Sequence, residues 1–167
     1  MKEINIGQAT AITSPDPLML VCTKKEDGAL NMAPVSFFMY ASFTPPMLAF
    51  AMLPTANSSV NLLRTGKAVL AAPSVSLRDA VMAYGSSSGS DKNKLEEHPV
   101  ALQTMEGVDV SFPVDTRIAF AVTLEQTVQA GDHNLYLCRI DNISADESRE
   151  ALFAWEGGAK VAPAQEK

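Results

Sequence analysis

The chain has 167 residues, 47% of them hydrophobic and 19% charged, which suits one globular domain with a sizeable core rather than a disordered protein. The formal net charge is −6 and the thirteen basic residues are scattered, with no block longer than Lys24-Lys25, so the basic stripe that a nucleic-acid partner needs is missing. The N-terminal MKEINIGQATAI lacks the continuous apolar stretch of a leader, no apolar run approaches the roughly 18 residues of a membrane span, and a cytoplasmic location is expected.

Residues 17–25, PLMLVCTKK, predict a strand that is buried early and exposed late. Asp27-Gly28 is a hairpin turn signal. ALNMAPVSFFMYASF, at 29–43, is apolar and aromatic, and Pro34 marks an edge, a bulge or a loop within this strand region. Thr44-Pro45-Pro46 is a break, and MLAFAML at 47–53 reads as a strand of a barrel core. In PTANSSVNLLRTGK, at 54–67, Asn57 or Ser58 suits a helix N-cap, Val60, Leu62 and Leu63 an apolar face, and Gly66 the C-terminal position. KAVLAA, at 67–72, is another short buried strand. Leu77, Ala80, Val81 and Tyr84 follow helical spacing over 76–85, with Gly85 closing the helix. SSSGS, at 86–90, reads as a flexible polar loop, and DKNKLEEHP as a helical turn ended by Pro99. Residues 99–115 carry no clear period. TRIAFAVTLEQTV (116–128) and HNLYLCRIDNI (133–143) predict two strands joined by a tight turn at Ala130-Gly131-Asp132. From about residue 144 comes a C-terminal extension with an acidic patch, LFAWEGGAKV and a polar tail.

Six strands joined largely by hairpins, with two or three short helices, predict a mainly β fold, an antiparallel barrel. Cys22 and Cys138 each lie in an apolar strand-like run and are expected to be buried, reduced thiols. His98 and His133 are too far apart for a local metal motif, so no metal site is expected. No Ser-His-Asp arrangement, HExxH or CxxC is visible.

Three segments together resemble the flavin reductase-like (flavoredoxin) family of FMN-binding split barrels. Asn31-Met32-Ala33-Pro34-Val35-Ser36-Phe37-Phe38, followed by Thr44-Pro45-Pro46-Met47, is similar to the family's Asn, Ala/Pro and Ser before an aromatic, then Pro-Pro leading into a strand. Asn57-Ser58-Ser59-Val60-Asn61 resembles the family's Asp-Thr-x-x-Asn helix start, with Asn and Ser in place of Asp and Thr. Gly131-Asp132-His133 resembles the family's Gly-Asp-His between two late strands, and Ser90-Asp91-Lys92 its Asp-Lys after a loop. The resemblance spans roughly residues 15–145. It implies a single six-stranded split-barrel domain over residues 1–167 and a homodimer with one FMN per subunit near the dimer interface. It also implies NAD(P)H-linked flavin reduction or flavin-based electron transfer to free flavin or a partner protein. Apolar surface on 47–53 and 152–155 is the expected dimer contact, with the extension from 144 a candidate part of it. A rival reading is an FMN carrier without pyridine-nucleotide activity; another is a barrel that binds some other phosphorylated ligand.

Each candidate residue has a functional and a plain reading. A helix N-terminus offers unpaired N–H groups and a partial positive charge, so Ser58, Ser59 and Asn61, with Asn57 as cap, are candidates to hold the FMN phosphate. The plain reading is a single cap. Asn31, Ala33, Pro34, Val35 and Ser36 are candidates for the flavin ring's polar edge, and Phe37 or Phe38 for its apolar edge, since neighbours on a strand face opposite sides and one of the two must be core. His133 is the candidate catalytic residue, bordering the flavin or the nicotinamide, or else a hydrogen-bonded turn histidine. Lys92 and Lys94 are phosphate contacts or a solvated charge run. Trp155 covers the flavin or packs in the dimer interface.

Overall fold

The computed structural model describes residues 1–89 and 94–164. In chain order the elements are α1 (Ile6–Ile12), β1 (Asp16–Pro17), β2 (Met19–Lys24), β3 (Leu30–Val35), β4 (Phe38–Phe43), β5 (Pro46–Met52), α2 (Asn57–Thr65), β6 (Lys67–Pro73) and, after a 3-10 turn at Val75–Leu77, α3 (Arg78–Ser86). Then follow α4 (Lys94–Glu97), β7 (Leu102–Gln103), β8 (Phe112–Pro113), β9 (Thr116–Ala130), β10 (His133–Ala145), β11 (Leu152–Trp155) and, past a second 3-10 turn, β12 (Lys160–Pro163).

The main sheet has seven strands in the order β3-β2-β6-β9-β10-β5-β4, with antiparallel neighbours throughout. Its two edge strands follow one another in the chain: β3 ends at Val35 and β4 starts at Phe38. A flat sheet would hold its edges about 29 Å apart, six spacings of about 4.8 Å. Three Cα steps reach at most about 11 Å. The sheet therefore curls until its edges meet, and Ser36-Phe37 crosses the open seam. The mainly β, antiparallel split barrel expected from the sequence is the observed class. Its strand count is seven rather than six, because residues 29–43 are two strands on opposite edges and not one interrupted strand. Pro34 lies in β3, an edge strand of the sheet, where a proline is tolerated.

Alternation within the central strands explains their continuous apolar sequences. Met19, Val21, Leu70, Phe120 and Val122 point into the barrel with Leu48, Phe50, Tyr136 and Cys138. Leu20, Cys22, Val69, Ala71, Ala119 and Ala121 point outward, beneath α3 and the C-terminal strands. Both faces are thus covered, and no polar residue interrupts the run. Leu152, Ala154 and Val161 belong to the outer layer, where β11 joins β1 and β12 in a small sheet. Residues 99–115 are held by Met105, Val110 and Phe112, three buried anchors on an irregular path that shows no period.

Several local expectations need correction. The N-cap of α2 is Ala56, not Asn57 or Ser58; Asn57 is the first helical residue. Gly85 does not close α3, which runs on to Ser86. Gly85 instead allows close packing: a Cβ there would sit 3.1 Å from Pro34 Cγ. Gly66 does end α2, at φ 66°. Helix α1 gives only a local signal, a capping box between Asn5 and Gln8. The side chains of 47–53 and 152–155 are largely used inside the subunit, so they do not form the expected apolar surface. Exposed apolar side chains lie instead on β4, at Met39, Tyr40 and Phe43, the last 94% exposed.

Among the described residues, no helix is long and apolar enough to cross a membrane, and no cluster of His, Cys, Asp or Glu could hold a metal ion. Cys22 and Cys138 are both buried and unpaired. Burial pushes both thiols up, Cys138 to about 12.

Candidate functional site

The seam of the barrel carries two adjoining cavities. The smaller, about 150 Å³, lies at the start of α2 and is lined by Asn31, Asn57, Ser58, Gly89 and Lys94 among others. The larger, about 390 Å³, runs along the crossing segment past Val35, Ser36, Phe37 and His133. Ala33, Pro34, Ala56 and Gly85 line both, so one surface passes from the helix end to the seam.

Local sequence explains the smaller cavity. No described side chain caps α2 at Ala56, and the first helical backbone bond is Val60 N–H to Ala56 O at 3.1 Å. The N–H groups of the first turn therefore keep the unpaired character of a bare helix start. Ser58 is buried and its Oγ accepts a hydrogen bond from Asn31 Nδ2 at 2.8 Å, which ties the helix to β3. Asn31 Oδ1 is buried and has no hydrogen-bond partner among the described residues. A Cβ built on Gly89 would overlap this oxygen, so only glycine lets the chain at 89 lie against Asn31. Lys94 is 5% exposed, which rules out the solvated charge run. Its Nζ donates to Tyr84 O at 2.5 Å and to Met32 O at 3.5 Å. Burial pushes its ammonium below the usual lysine range, and Lys25 adds repulsion.

Other candidates fall elsewhere. Ser59 Oγ donates to Leu53 O at 2.7 Å. Asn61 Nδ2 donates to Thr23 Oγ1 at 3.3 Å and Asn57 Oδ1 at 3.1 Å. Both side chains are buried, and neither lines the cavities. They fasten α2 to its neighbours, which corrects their reading as phosphate ligands through their side chains. Lys92 lies outside the described residues. Trp155 lines neither cavity, and its Nε1 donates to Ala162 O at 3.3 Å.

The larger cavity is built on the crossing segment. Phe38 packs inward against Phe120, with ring centroids 6.4 Å apart, while Phe37 is 53% exposed. The alternation expected of this pair is observed. Phe37 N–H and C=O belong to the junction, where Ala51 N–H donates to Phe37 O at 2.9 Å. The His133 ring lies 5.6 Å from that of Phe37, and its Nδ1 is 2.8 Å from Asp132 Oδ1. That bond holds the Asp132 carboxyl below the usual carboxylate range. Because β3 is an edge strand, alternate backbone groups of residues 31–35 face away from β2 and toward the seam.

Sequence reasoning missed Gly85, Ala56 and Gly89, whose contribution is the absence of side-chain bulk. It also missed Thr10, Asp16 and Gly157, which the N- and C-terminal segments bring to the larger cavity. These have no local signal, since only the closed fold brings them there.

The assembled site can hold an elongated ligand with a small anionic end and a broad, flat, partly apolar end. Comparison with known proteins points the same way. The family model described as flavin reductase like domain matches residues 12–162. Among solved structures, the flavoredoxin of Desulfovibrio vulgaris (Miyazaki F) superposes with a TM-score of 0.85 at 18% identity, covering 100% of this chain and 95% of that one. An FMN-binding protein from Thermus thermophilus gives 0.83 at 19% identity, over 100% and 95%. The styrene monooxygenase flavin reductase of Pseudomonas putida S12 gives 0.82 at 18% identity, over 98% and 99%. At these identities the structural likeness speaks for the fold.

Proposed function

Because the chain belongs to the flavin reductase-like family, whose model spans residues 12–162, we propose that it is an FMN-binding oxidoreductase that takes electrons from NAD(P)H and passes them to free flavin or a partner protein. One observation carries the reading: a small cavity with a buried cation and a bare helix start opens onto a larger one walled by an exposed aromatic ring and an edge strand. The donor set fits the phosphate end of FMN, and the larger cavity lies within the range of about 300–1,000 Å³ usual for ligand sites.

Asn31, Ser58, Asn57 and the first-turn N–H groups of α2 would hold the phosphate. Ala33, Pro34, Val35 and Ser36 would meet the polar edge of the ring with backbone groups and the Ser36 hydroxyl, and Phe37 its apolar edge. Bound flavin supplies the redox chemistry, so the protein needs no nucleophile of its own. Its task is to orient the ring, exclude water on the barrel side and leave room for the electron donor. His133, held by Asp132 at the rim, would border that donor. Two named relatives, a flavoredoxin and a monooxygenase flavin reductase, support an electron-transfer role.

Anaerobic titration tests this. The FMN-loaded protein should bleach on addition of NADH or NADPH. FMN binding without bleaching by either would leave an FMN carrier, and absence of any flavin binding would remove the reading altogether. His133→Ala should slow reduction about 10-fold, the loss of roughly one hydrogen bond or ring contact, while FMN affinity changes little. Stopped-flow absorbance beside a fluorescence titration measures both. An unchanged reduction rate would assign His133 to the turn alone.

The same reading places the protein in the cytoplasm, in keeping with two buried unpaired thiols, and makes it a homodimer. The support for a dimer is the row of exposed Met39, Tyr40 and Phe43 on edge strand β4, next to exposed Phe37 at the site. The C-terminal extension from 144 contributes β11 and β12, which pack on α3, to the subunit before any partner contact. Light scattering at micromolar concentration should give twice the chain mass. A clean monomer would count against the dimer.

A further inference from the structure

A third cavity, about 350 Å³, adjoins the seam between α3 and the C-terminal strands β11 and β12. We propose that this chamber seats an uncharged quinone-type compound of one or two rings, as an acceptor of electrons. The chamber stands on its own geometry, and only the redox role of its occupant rests on the flavin reading.

The walls show how the space arises. Leu18, Val81, Ala154 and Val161 line it and belong to the buried outer layer of the core. Close packing is the rule in such a layer. Here α3 brings Val81 and Met82, while much of the C-terminal wall is Ala154, Gly158 and Ala159, which are too small to close the gap. The volume lies near the lower end of the range of about 300–1,000 Å³ usual for ligand sites, and the lining suits an apolar ring.

Charge selects among such occupants. No Lys, Arg, His, Asp or Glu is among the described residues that line the chamber. An ionised group taken into it would lose its water and gain no counter-charge. The neighbouring cavities differ, since Lys94 lines the small one and Asp16 and His133 line the larger. The phosphates of a dinucleotide or of FMN are therefore unsuited to the chamber. Its polar groups are few. Ser86 Oγ is spent on Ala83 O at 2.9 Å. Ser36 brings its hydroxyl to the place where the chamber meets the larger cavity, a donor for a carbonyl oxygen. An uncharged ring compound with a carbonyl meets these terms, and quinones are the members of that class that take up electrons readily.

Pro34, Val35, Ser36 and Gly85 line both the chamber and the larger cavity, so a ring held here lies against the segment assigned to the flavin ring. The net change balances: the hydride of NAD(P)H and one solvent proton convert the quinone to the hydroquinone and leave NAD(P)+.

The test is calorimetric titration of the flavin-free and the FMN-loaded protein with 1,4-naphthoquinone, with no electron donor present. Both forms should bind it, with affinities within about 3-fold of each other, and NAD+ should not displace it. 2-Hydroxy-1,4-naphthoquinone has nearly the same shape but is ionised at neutral pH, and should bind at least about 10-fold more weakly. Met82→Trp fills the chamber from a side chain that is 40% exposed, so the fold should tolerate it. It should cost at least about 10-fold in quinone affinity and leave FMN affinity within about 2-fold, because Met82 lines neither of the other two cavities. Ala159→Phe, at an exposed position on another wall, should do the same and decides the matter if Met82→Trp does not fold. Displacement of the quinone by FMN would make the chamber part of the flavin seat, and displacement by NAD+ would make it the donor's. Either would overturn the proposal, as would equal affinity for the ionised quinone or quinone binding that survives both substitutions. Quinone binding that needs Met82, in a protein that takes up no flavin, would leave the chamber standing and remove the flavin reading. Flavin binding without quinone binding would overturn the proposal and leave that reading intact.

Discussion

Ser58→Asp should cost about 30- to 1000-fold in FMN affinity while the flavin-free protein stays folded. Ser58 is buried at the second position of α2, lines the small cavity and accepts a hydrogen bond from Asn31. A carboxylate there would face a bound phosphate at roughly 4 Å, and at an effective dielectric of about 20 one charge pair at that distance repels by about 4 kcal/mol. Relaxation and salt reduce this to roughly 2–4 kcal/mol. The flavin-free protein sees the opposite sign. An acid in the first helical turn gains typically 0.3–1 kcal/mol from the dipole. It also keeps Asn31 as a donor and provides Lys94, on the same cavity, with the anionic partner that the described residues do not supply. The melting temperature without flavin should therefore hold or rise as FMN binding is lost. A variant that binds FMN as tightly as the wild type would remove the phosphate from Ser58. Ser58→Ala, without the new charge, should weaken FMN by about 1 kcal/mol, near 5-fold.

What the sequence shows of this protein follows how far apart the cooperating residues are. The Asp27-Gly28 turn, the Gly66 helix end and the long β9–β10 hairpin are local, and short windows are enough to place them. The alternation of Phe37 and Phe38 is local too. The division of residues 29–43 is not, because Ser36-Phe37 looks like the middle of an apolar strand until the sheet closes and sets its halves on opposite edges. The helix start at 57–61 is visible as a cluster of small polar residues, but not which of them turn outward. Ser58 faces the cavity while Ser59 and Asn61 bond inward to Leu53 and Thr23. Lys94 is the sharpest case. In the run DKNKLEEHP it looks like an exposed charge, and only the arrival of Tyr84 and Met32 carbonyls from α3 and β3 makes it a buried one.

Gly85→Val tests whether the two cavities are one site, and should weaken FMN and riboflavin alike by at least about 30-fold, roughly 2 kcal/mol. Gly85 lies in the last turn of α3 and lines both cavities opposite Pro34. A Cβ there would already be 3.1 Å from Pro34 Cγ, and the proline ring in its edge strand has no rotamer with which to withdraw. The two further methyl groups of valine would fill the passage from the phosphate end to the ring end. The fold should tolerate this. Crowding costs about 1–3 kcal/mol, and replacing a glycine within a helix by valine offsets roughly 0.3 kcal/mol of it. Filling the passage should exclude both flavins, although the polar groups of Asn31, Ser58 and Lys94 are left in place. Flavin fluorescence titrations of the variant and the wild type read this out. FMN affinity that survives Gly85→Val would mean that no ligand runs between Gly85 and Pro34, and that the small cavity and the seam are separate sites.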